Sequence, residues 1–356
     1  MNRKKWIKVW AVIFILFTLI VGIFNYLVDP MWMFQHSFKF NNLQYAFSEK
    51  KLKTYYLNNN RNKFDSLLIG SSRTTYYNQN EFKNMKVFNY SISAGKPYEY
   101  IDFINYYKKN TEMRYLILGM DFFDSNINKN ENKSKKIINN RKLLEGIDSS
   151  NLLMSFIKNY LTLDMIKYSM INLVRFTTSK TGHRSYNRNN IVLVDKVNEK
   201  EVERIAIKRS KKYYANTLSY DNKISSVFNK IKNNNPNTQI IVYTTPLSKP
   251  FLDYIFNDKK LTKYYFMWIR DLVNSFGKIY LTTYYNDLSL NYKLYSKDGD
   301  HFYPLIGKEI TQFISGSKQA TSTIDISNNI MEINSNNIDE CLDILKLKIK
   351  SSGFDS

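Results

Sequence analysis

Two short segments, far apart in the chain, carry residue types that could do nucleophilic chemistry. Asp298-Gly299-Asp300-His301 places an aspartate three positions before one of only three histidines in 356 residues. A carboxylate at that spacing can hold an imidazole in one tautomer through Nδ1 and leave Nε2 to accept a proton. Leu67-Leu68-Ile69-Gly70-Ser71-Ser72-Arg73 is an apolar run that ends in a Gly-Ser-Ser turn, where Ser72 is a candidate nucleophile. A serine hydroxyl is weakly nucleophilic near neutral pH and needs a base within hydrogen-bond reach. Ser72, His301 as base and Asp298 as orienting acid would form a serine-dependent acyl-transfer set, with Asp300 as the fallback acid. Each residue also has a plainer reading. A serine at a strand end is often a helix cap, and a lone histidine is often a satisfied surface or core residue. Of the other two histidines, His36 falls just after an apolar segment, and His183 sits in a Lys/Arg/Asn-rich loop with no nearby acid.

The elements that must position these residues follow from hydrophobic patterning. Apolar runs at 64–69, 86–92, 114–120, 239–245 and 278–283 predict five strands, and helical spacing at 98–109 and 261–276 predicts helices between them. Strands alternating with helices argue for an α/β domain, a three-layer α/β/α sandwich on a central parallel sheet. Ligands then lie beyond the carboxyl ends of the strands, where Ser72, Asp121 and the turn after Thr245 all fall. At a helix N-terminus after the first strand, the backbone amides near Ser72 could hold an oxyanion. Ala94-Gly95 follows the second strand, and glycine there permits close backbone approach, although it could equally make only a turn. Asp121 ends the third strand and could position Ser72 or Arg73, the latter a candidate for substrate binding.

Residues 126–141 are polar and Lys/Asn-rich and read as a loop. Helical spacing returns at 152–176 and 202–214, so about 126–235 reads as a helical insertion. It would be either a lid or polymer-binding wall, or ordinary crossover helices. Residues 315–323 resemble a linker. Asn337 with Glu340 then starts an amphipathic helix that either docks back or meets a partner.

Residues 9–28 are almost wholly apolar, with Asn25 the only strongly polar member, and about 20 residues suffice to cross a bilayer. Arg3, Lys4, Lys5 and Lys8 precede the stretch and Asp29 follows it. The expected arrangement is therefore a cytoplasmic stub at 1–8, a signal anchor at 9–28, a neck at 29–60 with one short helix near Leu43 to Tyr56, and an extracytoplasmic domain at 61–315, followed by the linker and helix at 316–356. Trp6, Trp10, Tyr26 and Trp32 lie where interfacial aromatics belong. Small residues for signal-peptide cleavage are missing after the apolar core. The net charge of +21 implies attraction to polyanions. The basic residues show no zinc spacing, RNP pattern or helix-turn-helix signal, so an anionic envelope polymer or lipid surface is the expected partner and nucleic acid is not. The single Cys341 makes no intramolecular disulfide and no cysteine-based metal site. No metal or cofactor is expected.

These spaced elements resemble the SGNH/GDSL hydrolase superfamily, in its membrane-anchored extracytoplasmic branch. Gly70-Ser71-Ser72 stands where that family has Gly-Asp-Ser, and Asp298-x-x-His301 where it has Asp-x-x-His. The segment Asn89-Tyr90-Ser91-Ile92-Ser93-Ala94-Gly95 is similar to the one holding the family's oxyanion glycine, with Ala94 or Gly95 the aligned residue. The third segment departs: Gly119-Met120-Asp121-Phe122 replaces Gly-x-Asn-Asp and lacks the side-chain amide. The branch includes the D-alanyl transfer protein of teichoic acid systems and polysaccharide O-acetylation proteins. The resemblance implies an SGNH-like fold over about 60–315 and transfer of an acyl group, usually acetyl, onto an envelope polysaccharide, with a multipass membrane acyltransferase as possible donor partner. A carbohydrate esterase, or a non-catalytic adaptor binding anionic polymer or the membrane partner, are the competing readings.

Overall fold

The computed structural model of the chain describes residues 3–109, 111–130, 132–149, 151–178, 184–214, 218–316 and 326–353. In chain order the elements begin with helix α1 (Arg3–Val28), strand β1 (Leu43–Gln44), helix α2 (Glu49–Asn60), and strands β2 (Ser66–Ile69) and β3 (Val87–Asn89). Helix α3 (Pro97–Lys108), strand β4 (Tyr115–Met120), helices α4 (Lys133–Ser149), α5 (Leu152–Tyr160) and α6 (Leu163–Thr177), and strands β5 (Ser185–Asn187) and β6 (Val192–Leu193) follow. Next come helices α7 (Glu199–Tyr214) and α8 (Ile224–Asn233), strand β7 (Gln239–Thr244), helices α9 (Lys249–Phe256) and α10 (Lys259–Phe276), and strand β8 (Lys278–Leu281). Helices α11 (Asp287–Leu290) and α12 (Pro304–Ile314), strand β9 (Met331–Asn334) and helix α13 (Ile338–Ser351) end the described chain.

The chain divides into two compact units, Met1–Asn60 with Arg141–Leu193, and Arg61–Asn140 with Val194–Ser356. This partition differs from the expected neck and insertion. Part of the interval expected as an insertion, 141–193, groups with the N-terminal sixty residues, and the rest belongs with the α/β elements.

The second unit is a mixed α/β structure with a mostly parallel central sheet flanked by helices. The strand order is β3-β2-β4-β7-β8-β9, parallel throughout except for β9, which pairs antiparallel with β8. Every residue of β2 is buried, and its Ser-Leu-Leu-Ile run has no polar face, as a strand covered on both sides requires. Numbered among themselves, the five parallel strands run 2-1-3-4-5, so the order reverses between β2 and β4. In open parallel sheets that reversal opens a crevice at the carboxyl ends of the strands. Register decides what meets there. Ile69 pairs with Leu118 and Met120 with Thr244. The residues that follow, Gly70 to Ser72, Asp121 and Thr245, therefore emerge side by side.

The structure corrects expectations in both units. Residues 126–141 are not a loop: a 3-10 turn at Ile127–Asn130 leads into α4. Asn140, Leu144 and Ile147 are buried at helical spacing, a stripe that the many lysines and asparagines mask in the sequence. Of the two readings of the tail helix, docking back is the one observed, since α13 packs against α10 and buries Leu342, Leu345 and Ile349; β9, which no sequence pattern announced, completes the sheet. The part of the predicted linker at 317–323 lies outside the described residues. In the first unit, the short helix expected near Leu43 begins only at Glu49, because Leu43 and Gln44 instead pair with β5. That unit also contains α1, the one helix among the described residues long and apolar enough to cross a membrane. Trp32 is buried against Tyr56 and Tyr186 rather than exposed as an interfacial anchor.

Candidate active site

Gly70 leaves β2 where the chain has least room. A Cβ there would lie 2.2 Å from the Thr74 hydroxyl, and one on Gly119 of β4 would lie 2.0 Å from it. Both glycines are thus required by the turn that follows β2. Ser72 lies at the outer bend of this turn and is half-buried, whereas Ser71 and Arg73 on either side are buried. The expected α-helix does not form here: Thr74–Tyr76 is a single 3-10 turn closed by bonds from Thr74 N–H to the Ser71 carbonyl and from Thr75 N–H to the Ser72 carbonyl. A helix macrodipole is therefore unavailable to Ser72. Its own backbone N–H makes no hydrogen bond among the described residues and remains able to donate to an oxyanion.

His301 arrives from the other end of the unit, on a loop pinched by the Tyr295–Phe302 bridge and ended by Pro304 at the first turn of α12. Gly299 turns this loop with φ +66, and Ala206 of α7 fills the place where its Cβ would stand, 2.3 Å away. Asp298 then folds back over its own loop. One carboxylate oxygen accepts from the backbone N–H groups of Asp300 and His301 and from the Ser296 hydroxyl, all at 3.0 Å. The other oxygen accepts from His301 Nδ1 at 2.7 Å. That bond puts the imidazole proton on Nδ1, so Nε2 accepts from Ser72 Oγ at 2.8 Å. The ring of Tyr76 stacks on the imidazole, centroids 4.9 Å apart, and fixes its plane. Burial alone would raise the Asp298 carboxyl, but the charge and hydrogen bonds of His301, with a smaller pull from Arg209, hold it well below the ordinary carboxylate range. Asp298 thus stays ionised opposite a histidine that must become positive when it takes a proton.

No family model matches this chain, and no curated protein matches it.

The other expected site residues do different work. Arg73 is buried, so it cannot reach a substrate. Its Nε donates to Asp300 Oδ1 at 3.0 Å, its Nη2 also donates to that oxygen, and Nη1 lies 3.3 Å from Asp121 Oδ1. Asp300 is therefore the counter-ion of Arg73 rather than a second acid for His301. Asp121 accepts hydrogen bonds from Ser71 Oγ and Thr245 Oγ1, the pairings that the strand register brings together. It is turned into the scaffold and offers nothing to an oxyanion. Asn89 is likewise fully buried, with its amide donating to the carbonyls of Thr74 and Tyr77 at 3.0 and 2.8 Å and holding the far side of the Ser72 turn. The Gly95 N–H closes a turn on the Ile92 carbonyl at 3.0 Å. Ala94 is exposed with φ +53, and its N–H makes no hydrogen bond among the described residues. Of the two aligned alternatives, Ala94 is thus the one with an amide to offer. His36 belongs to the other unit, where its Nε2 lies 3.4 Å from the Leu27 carbonyl, and His183 lies outside the described residues.

Four contributors take no role from the sequence motifs. Ser71 and Thr245 reach the site through register, and Tyr76 through its stack on His301. Arg209 comes from α7 and stands 3.8 Å from both Asp298 Oδ2 and Asp300 Oδ2. The Phe123 ring carries Arg73 at 4.8 Å on one contact and Lys96 at 4.3 Å on another, tying the loops after β3 and β4 to the Ser72 turn. Lys96 also pairs with Asp124 at 2.9 Å, whose carboxyl burial pushes up to about 7 against the pull of that lysine.

Proposed function

We propose that this protein is a membrane-anchored, serine-dependent acyltransferase of SGNH type, acting outside the membrane on an envelope polysaccharide. The observation that carries this reading is the unbroken relay from Ser72 Oγ through His301 to Asp298, with both links at hydrogen-bond length. The reversal of strand order beside Ser72 and the flanking helices agree with a three-layer sandwich of the flavodoxin-like kind. The apolar helix α1 with basic residues only on its N-terminal side favours a cytoplasmic N-terminus and an extracytoplasmic catalytic unit. The charge of +21 favours an anionic polymer as acceptor.

Ser72 Oγ would attack the carbonyl carbon of an acyl donor while its proton passes to His301 Nε2. The tetrahedral intermediate would collapse as His301 returns that proton to the departing oxygen, leaving the acyl group on Ser72. A sugar hydroxyl would then lose its proton to His301 and attack the acyl-serine, and His301 would pass that proton to the departing Ser72 Oγ, restoring the serine and releasing the acylated polymer. Asp298 remains a carboxylate throughout. The N–H groups of Ser72 and Ala94 are the available oxyanion donors.

The test supplies the purified full chain with p-nitrophenyl acetate, with and without an anionic uronic-acid oligosaccharide. Turnover with acetyl appearing on the sugar by mass spectrometry is the expected result. Turnover that leaves every sugar unmodified identifies an esterase, and no turnover in either condition ends the catalytic reading.

A further inference from the structure

Asn25 lies within the apolar helix α1, yet its side chain is fully buried. An amide inside a bilayer is costly unless both its donor and its acceptor are satisfied. Here Asn25 Nδ2 donates to the Tyr160 carbonyl at 2.6 Å and Oδ1 accepts from the Ser169 hydroxyl at 2.7 Å. Both partners belong to the α5–α6 hairpin, and α6 packs along α1. One turn deeper, the space a Cβ on Gly22 would occupy is met at 3.4 Å by Phe156 and by Leu161. Gly22 precedes Val28 by six residues, about 9 Å along a helix. If α1 crosses a membrane with its apolar stretch, whatever touches Gly22 and Asn25 lies below the headgroups too.

Much of the hairpin's outer surface is apolar, although Lys158, Asp164 and Lys167 are also exposed on it. Leu153 is 65% exposed, Ile157 45%, Leu163 84% and Val174 56%, beside Ile20 and Ile23 of α1 at 66% and 59%. A groove of about 550 Å³ between α1 and α5 is lined almost wholly by apolar side chains, Leu19, Ile23, Leu152 and Phe156 among them. These exposed residues are large aliphatics. Helix–helix interfaces inside membranes favour small residues that let backbones approach, whereas lipid-facing positions favour large apolar ones. Gly22 meets that description only on the inner side, where the hairpin already covers it.

We infer that the α5–α6 hairpin is a second membrane-embedded element. It inserts into the leaflet at the C-terminal end of α1, and its exposed aliphatic face is covered by lipid acyl chains. The inference rests on α1 crossing the membrane and is independent of the chemistry at Ser72.

Site-directed fluorescence on the full chain tests it. In a Cys341→Ser background, single variants Leu153→Cys, Leu163→Cys and Ile20→Cys are labelled with an environment-sensitive fluorophore. They are then reconstituted into phosphatidylcholine–phosphatidylglycerol vesicles containing nitroxide-labelled lipid. The expected result is blue-shifted emission and lipid quenching at Leu153 and Leu163 comparable to that at Ile20, with protection from aqueous iodide. Iodide quenching at the hairpin positions, while Ile20 is quenched by lipid, overturns the inference and leaves the anchor standing. Shielding from both quenchers would mean a protein covers the face, which also overturns it. Absence of lipid quenching at Ile20 itself would remove the membrane premise.

Discussion

Ser72 and Arg73 are neighbours in sequence, as are His301 and Asp300, yet the two residues of each pair serve opposite ends. Ser72 and His301 face one another at a partly open surface through a single hydrogen bond. Arg73 and Asp300 meet behind them, where the arginine is 1% exposed and the aspartate 3%. The same two loops are therefore joined twice, once by the Ser72–His301 hydrogen bond and once by a buried ion pair that Asp121 extends to β4 and Thr245. Under the proposed acyl transfer, the outer link would break and re-form during chemistry. The inner one never has to change, and so it can set the distance at which the outer one operates.

Substitutions that separate the two links break or sharpen this contrast. The largest expected effect comes from the outer pair. Ser72→Ala and His301→Ala should each lower ester turnover on the order of 10⁴-fold or more, and the double variant should be no worse than either alone, because groups that act as a unit are not additive. Thermal melts of Ser72→Ala should stay close to wild type, since the brace is intact. A double variant much slower than both single ones would show that the two side chains act separately.

Arg73→Met reverses the pattern. It leaves Asp121 buried without its cation and Asp300 with only the partly exposed Arg209, and removing one member of a buried ion pair costs about 3–5 kcal/mol. Urea unfolding should report that loss, with activity falling because the two loops drift apart. An Arg73→Met protein as stable as wild type but inactive would mean that Arg73 acts on substrate.

Asp298→Asn has the subtlest thermodynamic signature. The folded carboxyl titrates well below its ordinary value, so over that interval the unfolded chain binds more protons than the folded one. Its stabilisation is complete above about pH 4 and is lost as pH falls through the folded value. The stability gap between wild type and Asp298→Asn in urea should therefore shrink once the pH is lowered below about 4. A gap that does not shrink below that pH would mean that the folded carboxyl is not held below its ordinary value.

The outer link was legible in the sequence because nucleophile, base and acid each need a particular residue type, and histidine is scarce. The strands were legible because residues 64–69, 114–120 and 239–245 are short apolar runs that end in turn residues. The inner link was not. Nothing in the types of Ser71, Arg73, Asp121 and Thr245 says that they meet; only the pairing of Ile69 with Leu118 and of Met120 with Thr244 brings them together. Asp300 misled because an acid beside a histidine resembles a triad member, and only the direction of its side chain assigns it to Arg73. The helix at Lys133–Ser149 was hidden by polar composition, and β9 by its place after a linker-like segment.

The central claim is that Ser72 carries the acyl group. Mixing the full chain with p-nitrophenyl acetate, quenching with acid and sequencing the peptides by tandem mass spectrometry tests it directly. One acetyl group on Ser72, absent from the Ser72→Ala protein and depleted in His301→Ala, is the predicted result. Wild-type protein that turns the ester over with no acetyl on Ser72, or a Ser72→Ala variant acetylated as fast elsewhere, would contradict it.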